Sequence, residues 1–274
     1  MAPSSADRAP DLGLVATLRA AGCVYAEDEA TLLEEASREG GDLPLMLARR
    51  VAGEPLEQVL GWAEFCGLRI RVVPGVFVPR TRTAALVETA VMLADALDHD
   101  PVVVDLCCGT GAIGVAVAAS VPGIELHAAD LDPDAVACAR LNVTAGEVHE
   151  GDLYDALPAR LAGRVDLLLV NAPYVPTDEI RLMPPEARLH EHLLALDGGA
   201  DGVDVHRRVA AGAPAWLAPG GSLLIETSRD QAEETAHACV EAGLETRALA
   251  PHDTGMTVVR AISASGGSSG RMTR

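Results

Sequence analysis

Along this chain the apolar positions change period twice. From Asp11 to about Val51 they recur at helical spacing, with Leu14, Val15 and Leu18 on one face and Leu32, Leu33 and Ala36 on another. Asp11 is placed as an N-cap, Gly22 and Gly40-Gly41 as stops, and Pro44 in a first helical turn. Glu54-Pro55 to Trp62 reads as one more short helix. Two extended runs follow, Glu64 to Val73 and Val76 to Val78, with Pro74-Gly75 between them as a hairpin-type turn. Pro79-Arg80-Thr81-Arg82-Thr83 is then a polar, irregular loop before a helix over Ala84 to Leu97.

From Pro101 the pattern alternates between strand and helix. Strands are predicted at Val102 to Leu106, Ile124 to Leu131, Glu147 to Leu153, Asp166 to Asn171 and Ser222 to Ser228. Helices are predicted at Ala112 to Ala119, Asp134 to Asn142, Val203 to Leu217 and Gln231 to Ala242. Strands apolar throughout and separated by helices predict an α/β fold with a doubly wound, mostly parallel sheet. Glu245 to Leu249 and Met256 to Ile262 are joined only by Pro251 to Gly255, too short for a crossover helix, so the last strand is expected to be antiparallel. The expected organisation is a helical N-terminal domain over 1–62, a hairpin and linker over 63–83, a catalytic domain over 84–262 and a disordered Ser/Gly-rich tail over 263–274.

Composition narrows the function classes. The net charge of −19 repels nucleic-acid backbones and anionic membranes and favours a small or basic partner. All 21 cationic side chains are arginine. The six cysteines show neither CxxC nor zinc spacing, which predicts free thiols in a cytoplasmic protein. No apolar run approaches the ~18 residues of a membrane span, and Met1 to Asp7 lacks the apolar core of a signal peptide.

Two turns at strand ends carry the candidate chemistry. Gly109-Thr110-Gly111-Ala112-Ile113-Gly114 satisfies G-x-G-x-x-G, a weak dinucleotide signal by itself. Asp105 ends the preceding strand, where a carboxylate repels a pyrophosphate but can hold an ammonium group, directly or through water. Asp130 ends the next strand, placed to accept two ribose hydroxyls, and Asp152 ends the third, placed for an adenine amino group. Three strand-end acids suit a ligand cationic at one end and adenosine at the other; S-adenosyl-L-methionine is such a ligand. Its contacts are expected at Asp105, Cys107, Gly109, Thr110, Gly111, Asp130, Leu131, Asp152, Leu153 and Asn171. The second turn, Asn171-Ala172-Pro173-Tyr174, follows an apolar strand. Beside a methyl donor, the Asn171 amide oxygen and the Ala172 carbonyl can accept from both N–H groups of a planar nitrogen. That aims its lone pair at the methyl group while Tyr174 packs on the target plane.

Asp105 to Ile113, Asp130 with Pro133-Asp134-Ala135, and Asn171-Ala172-Pro173-Tyr174 together resemble the class I S-adenosylmethionine-dependent methyltransferases that modify protein glutamine, the release-factor and ribosomal-protein glutamine methyltransferases. The likeness continues in Gly53-Glu54-Pro55, in Pro74 to Arg80 and in Glu191, Gly198-Gly199 and Asp201-Gly202. The resemblance implies a Rossmann-like, seven-stranded catalytic domain and transfer of a methyl group to a glutamine side-chain amide nitrogen. The implied target is a release factor or ribosomal protein, basic in charge, met by a monomer without direct nucleic-acid contact. Ala172 stands where the family has proline, Ala84 where it has an acid, Arg82 where an acid is common, and His190 and His192 flank Glu191 in place of an aromatic residue and a proline. The link from Asn142 to Glu147 is also short. These departures mark a divergent paralogue; the two histidines read as solvated loop residues with no metal expected. The alternatives left open are adenine-N(6) methylation of nucleic acid, which the charge opposes, a non-catalytic S-adenosylmethionine-binding protein, and an NAD-dependent oxidoreductase, which Asp105 opposes.

Overall fold

The N-terminal helical pattern builds α1 (Leu12–Ala20), α2 (Ala26–Arg38), α3 (Leu43–Val51) and α4 (Leu56–Leu60). The computed structural model describes residues 10–248 and 256–264. Asp11 caps α1 by accepting from the Gly13 and Leu14 N–H groups, and Asp42 caps α3 by accepting from that of Leu45. The four helices enclose a core of their own around Leu18 and Leu33, both fully buried.

A hairpin follows, but not where the Pro-Gly signal predicts it. Strands β1 (Trp62–Phe65) and β2 (Leu68–Arg71) pair antiparallel around Cys66-Gly67. Their φ values of 50° and 75° are both left-handed, as a two-residue turn matched to strand twist requires. Pro74-Gly75 is instead the exit from the hairpin. Val72 donates back to the Gly61 carbonyl, and Gly75 bridges in parallel to Glu191, its carbonyl accepting from the His192 N–H at 2.8 Å. Val76 to Val78 therefore has no hairpin partner and runs under the 185–192 segment.

Past α5 (Ala84–Ala94), the chain winds as β3 (Val102–Leu106), α6 (Ala112–Ser120), β4 (Glu125–Asp130), α7 (Pro133–Asn142), β5 (Glu147–Glu150) and β6 (Val165–Val170). It continues through α8 (Pro185–His190), α9 (Asp204–Trp216), β7 (Leu217–Ser228), α10 (Ala232–Glu241), β8 (Glu245–Ala248) and β9 (Met256–Ile262). The seven-stranded sheet has the order β5-β4-β3-β6-β7-β9-β8, with β9 antiparallel to both its neighbours. The expected class, a Rossmann-like sheet with an antiparallel last strand, is the one formed. Leu249 and the Pro251 to Gly255 turn lie outside the described residues, as does most of the expected tail.

Both sheet faces are covered, which is why the strands read as unbroken apolar runs. Val103, Leu167 and Leu169 pack on one face with α5 and α6; Val104, Leu168 and Val170 pack on the other with α9 and α10. Strand order reverses at β3, between β4 and β6. Leu106 and Val170, the last residues of β3 and β6, are register partners. The glycine turn and the asparagine turn thus leave adjacent strands at the same height, where an open sheet of this kind holds its ligands.

Candidate active site

A cavity of about 290 Å³ opens at that point. One wall is the glycine turn from Leu106 to Thr110, with Asp130 to Asp132 and Asp152-Leu153; the other is Asn171 to Val175, with Arg80, Arg82 and Thr83 from the linker. Roofing it are Leu194 to Asp197.

The glycine turn is tightly wound. Cys107 adopts φ 61°, a left-handed conformation that costs a non-glycine residue about 1–2 kcal/mol. Cys108 donates to the Ala129 carbonyl at 3.0 Å and Gly109 donates to Asp130 Oδ2 at 2.8 Å, so the turn is pinned to the end of β4. The other Asp130 oxygen accepts from the Asp132 N–H at 2.9 Å. Burial nevertheless pushes the Asp130 carboxyl above the usual aspartate range, because those two donors only partly replace water. A pair of hydroxyls would complete its solvation.

Two expected contacts fall behind the wall. Asp105 is fully buried, and its Oδ2 accepts from the Gly114 N–H at 2.9 Å, so the carboxylate ties β3 to the first turn of α6 instead of facing the cavity. Its Oδ1 is buried with no hydrogen-bond partner among the described residues, and burial pushes the carboxyl up to about 7. Gly111 takes φ 74° at the start of α6, and a Cβ there would meet Val143 Cγ2 at 3.1 Å. Its glycine serves helix packing and not ligand approach. At Gly109, by contrast, a Cβ would meet nothing within 4 Å. Asp152 does line the cavity, but Arg208 Nη2 holds its Oδ2 at 2.7 Å, so it is not a free acceptor for an amino group. Cys107, Thr110, Leu131 and Leu153 all stand in the wall, and burial pushes the Cys107 thiol far up, which makes it an inert lining group.

On the target side, Asn171 Nδ2 donates to Thr83 Oγ1 at 3.5 Å, which turns its Oδ1 away from Thr83. Ala172 is 2% exposed, and its carbonyl accepts no hydrogen bond from any described residue. Tyr174 is fixed at both ends: its hydroxyl accepts from Arg82 Nη2 at 3.0 Å, and its carbonyl from Gln231 Nε2 at 2.8 Å. Burial pushes the phenol up while Arg82 pulls it back. Asn171, Ala172, Pro173 and Tyr174 therefore share one cavity with the glycine turn.

The linker contributions escaped the sequence reading. Arg80 Nη2 donates to Glu191 Oε1 at 2.6 Å, and the same oxygen accepts from the Val78 N–H at 3.1 Å, which clips the 185–197 segment over the site. His192, expected to be solvated, donates from Nδ1 to Asp132 Oδ2 at 2.6 Å and so latches that segment to the cap of α7. The adjacency of Pro79-Arg80 to the hairpin is a signal for the first; nothing in the local sequence announces the second.

A Rossmann-like sheet with an antiparallel last strand, a glycine turn pinned to an acid and a facing Asn-x-Pro-Tyr turn define a class I methyltransferase. The Asp130 carboxylate, which lines the cavity with its lost hydration only partly replaced, fits the ribose hydroxyls of S-adenosyl-L-methionine, the cofactor of this class. Residues 67–185 match the model of the "Methyltransferase small domain" family. A Streptomyces coelicolor protein named release factor glutamine methyltransferase is 42% identical over 189 residues, 68% of this chain and 67% of that protein. A 4-amino-L-phenylalanine/4-methylamino-L-phenylalanine methyltransferase of Streptomyces pristinaespiralis is 39% identical over 65% of this chain and 62% of its own length. The T. thermophilus 16S rRNA N2 G1207 methyltransferase, solved with AdoMet and guanosine, shares the fold at a TM-score of 0.54 and 19% identity, covering 74% of this chain and 49% of that one. The chain belongs to the release factor glutamine methyltransferase family.

Proposed function

We propose that this chain transfers the methyl group of S-adenosyl-L-methionine to the side-chain amide nitrogen of a glutamine in a protein release factor. The observation that carries the reading is Asn171-Ala172-Pro173-Tyr174 facing the glycine turn across a single cavity, with two carbonyl oxygens free to accept. An amide nitrogen is a poor nucleophile because its lone pair is delocalised. Asn171 Oδ1 and the Ala172 carbonyl accept its two N–H groups, restore density to nitrogen and fix its direction, while Tyr174, braced by Arg82, packs on the amide plane. When bound, the donor would supply an electrophilic methyl group on a sulfonium that departs as a neutral thioether, with one of the two hydrogens of the amide nitrogen released to solvent as a proton. Asp130 holds the ribose end and the 106–110 turn the remainder. The acidic surface, with net charge −19, favours a basic face on the target. The monomeric state, the division at residues 62 and 83 and the reducing compartment that suits six free cysteines belong to the same reading.

The test is incubation with labelled donor and a panel of release factors and ribosomal proteins, followed by mass mapping. Asn171→Ala is expected to lower kcat by about 10²–10³ with donor affinity retained. Asp130→Ala is expected to weaken the donor at least about tenfold. Donor binding without methylation of any protein overturns the enzyme reading, and loss of donor binding alone in both variants overturns the division of roles.

One observation favours a second reading. Arg82 makes no ion pair among the described residues, and its Nε is buried with no hydrogen-bond partner among them. A guanidinium at the target end suits a substrate with its own carboxylate, such as the amino acid in the name of the S. pristinaespiralis relative. Adding 4-amino-L-phenylalanine to the panel separates the two.

A further inference from the structure

Away from the cavity, two Glu-x-His segments lie side by side. Glu125 and His127 sit on β4, and Glu147 and His149 on the edge strand β5. The register His127↔Glu147 and Ala129↔His149, with side chains alternating between faces, puts all four on one face of the sheet. Val148 between them packs with the core of the other face. His127 is 1% exposed.

The hydrogen-bond order fixes the tautomers. His127 Nε2 donates to the Glu125 carboxylate, Oε1, at 3.2 Å, which puts Nδ1 on the side of His149 as the acceptor. His149 Nε2 lies 3.0 Å from that Nδ1 and fills the gap by donating its hydrogen. The Glu147 carboxylate joins them, each ligand atom within 4.8 Å of the others. We propose that His127 Nδ1, His149 Nε2 and Glu147 form a binding site for a divalent transition-metal ion, zinc being the chemical type.

Two imidazoles and a carboxylate are a borderline-soft donor set suited to such an ion. Donors bonded at about 2.0–2.1 Å to one tetrahedral ion lie about 3.3 Å apart, close to the nitrogen spacing already present. Glu125, accepting from the far nitrogen of a ligating histidine, is the partner that orients the ring and raises its basicity. An ion bonded to both nitrogens sits to one side of the N···N line and displaces the hydrogen between them, which passes to Nδ1 of His149. Arg160 and Arg164 pair with Glu147 and Glu125. An ion at Glu147 takes one carboxylate oxygen and leaves the other to Arg160. A filled site staples β5 to β4 close to Gly151 and Asp152, where β5 runs into the cavity.

Zinc sulfate titrated into the full chain after chelator treatment tests the proposal by calorimetry, with native mass spectrometry for stoichiometry. One ion per chain is expected, with a rise in Tm. His149 is half-buried on an edge strand, so His149→Ala keeps the fold, checked by circular dichroism; it and Glu147→Ala each weaken binding about tenfold or more, and Glu125→Gln by about tenfold. Cobalt(II) distinguishes the donors, since an imidazole–carboxylate site gives d–d bands without thiolate charge transfer. No saturable binding, equal binding by His149→Ala, or a thiolate spectrum from the cysteines overturns the proposal and leaves the pair as a hydrogen bond.

Discussion

Asp105 carries the sharpest tension of any residue at the site. Burial pushes its carboxyl up to about 7, although the Gly114 N–H opposes the shift. An unfolded aspartate titrates near ~3.9, so folding favours the protonated form. Its contribution to stability is full below about pH 4 and is lost as pH rises through about 7. Asp105→Asn keeps an acceptor for Gly114 and cannot ionise. Urea unfolding should therefore show the wild type losing on the order of 3 kcal/mol more than the variant between pH 5 and pH 8. Equal pH slopes would sink this account. The residue was legible in the sequence as a strand-end acid, but its direction was not. Whether a side chain at the end of β3 points to the cavity or into α6 depends on where Gly114 falls, and only the packed helix decides that. Asn171 and Tyr174 were legible because a strand end, an amide and a rigid turn occur in one unbroken run.

Elements were easier to read than their attachments. The strands and helices of the sheet follow from apolar period, within a residue or a few of their observed ends. The hairpin turn was misplaced because Pro74-Gly75 is the stronger compositional signal, whereas Cys66-Gly67 is selected by strand twist. What settles the matter is the Gly75 bridge to Glu191, a contact no local pattern contains. Asn142, the last residue of α7, is the clearest case of an attachment hidden in an ordinary helix stop. Its Oδ1 accepts from the Arg71 N–H at 2.8 Å, and its Nδ2 donates to the carbonyls of Arg71 at 3.0 Å and Thr110 at 2.9 Å. One amide thus pairs with the edge of β2 as another strand would and ties the hairpin to the glycine turn. Asn142→Ala should cost about 1–3 kcal/mol and weaken the donor as well, measured by urea unfolding and calorimetry. A variant that loses stability without loss of donor affinity would detach the hairpin from the cofactor site.

At the scale of the molecule, the helical unit is joined to the sheet domain through Arg50. Its Nε and Nη2 donate to Glu29 at 2.6 and 3.1 Å, and its Nη1 donates to Glu186 of α8 at 2.6 Å. Arg50 and Glu29 are each 8% exposed. Breaking such a buried pair leaves a charge without compensation, so Arg50→Ala should destabilise by about 3–5 kcal/mol in urea unfolding. The Arg50→Met/Glu29→Met double variant should cost less than the single one. Since Glu186 belongs to the segment that roofs the cavity, the single variant should also raise KM for a protein target. Retained stability in Arg50→Ala would mean that water reaches Glu29.

Among the described residues the sheet has two open margins, β5 and β8, each four residues long. Glu147 and Glu150 stand exposed on the first, and Glu245 and Arg247 on the second. A neighbouring copy that tried to add a strand would gain few main-chain hydrogen bonds and would bring like carboxylates together on the β5 side. Crowding in a cell is therefore resisted at the margins of the sheet, which leaves its interior strands free to be as uniformly apolar as they are.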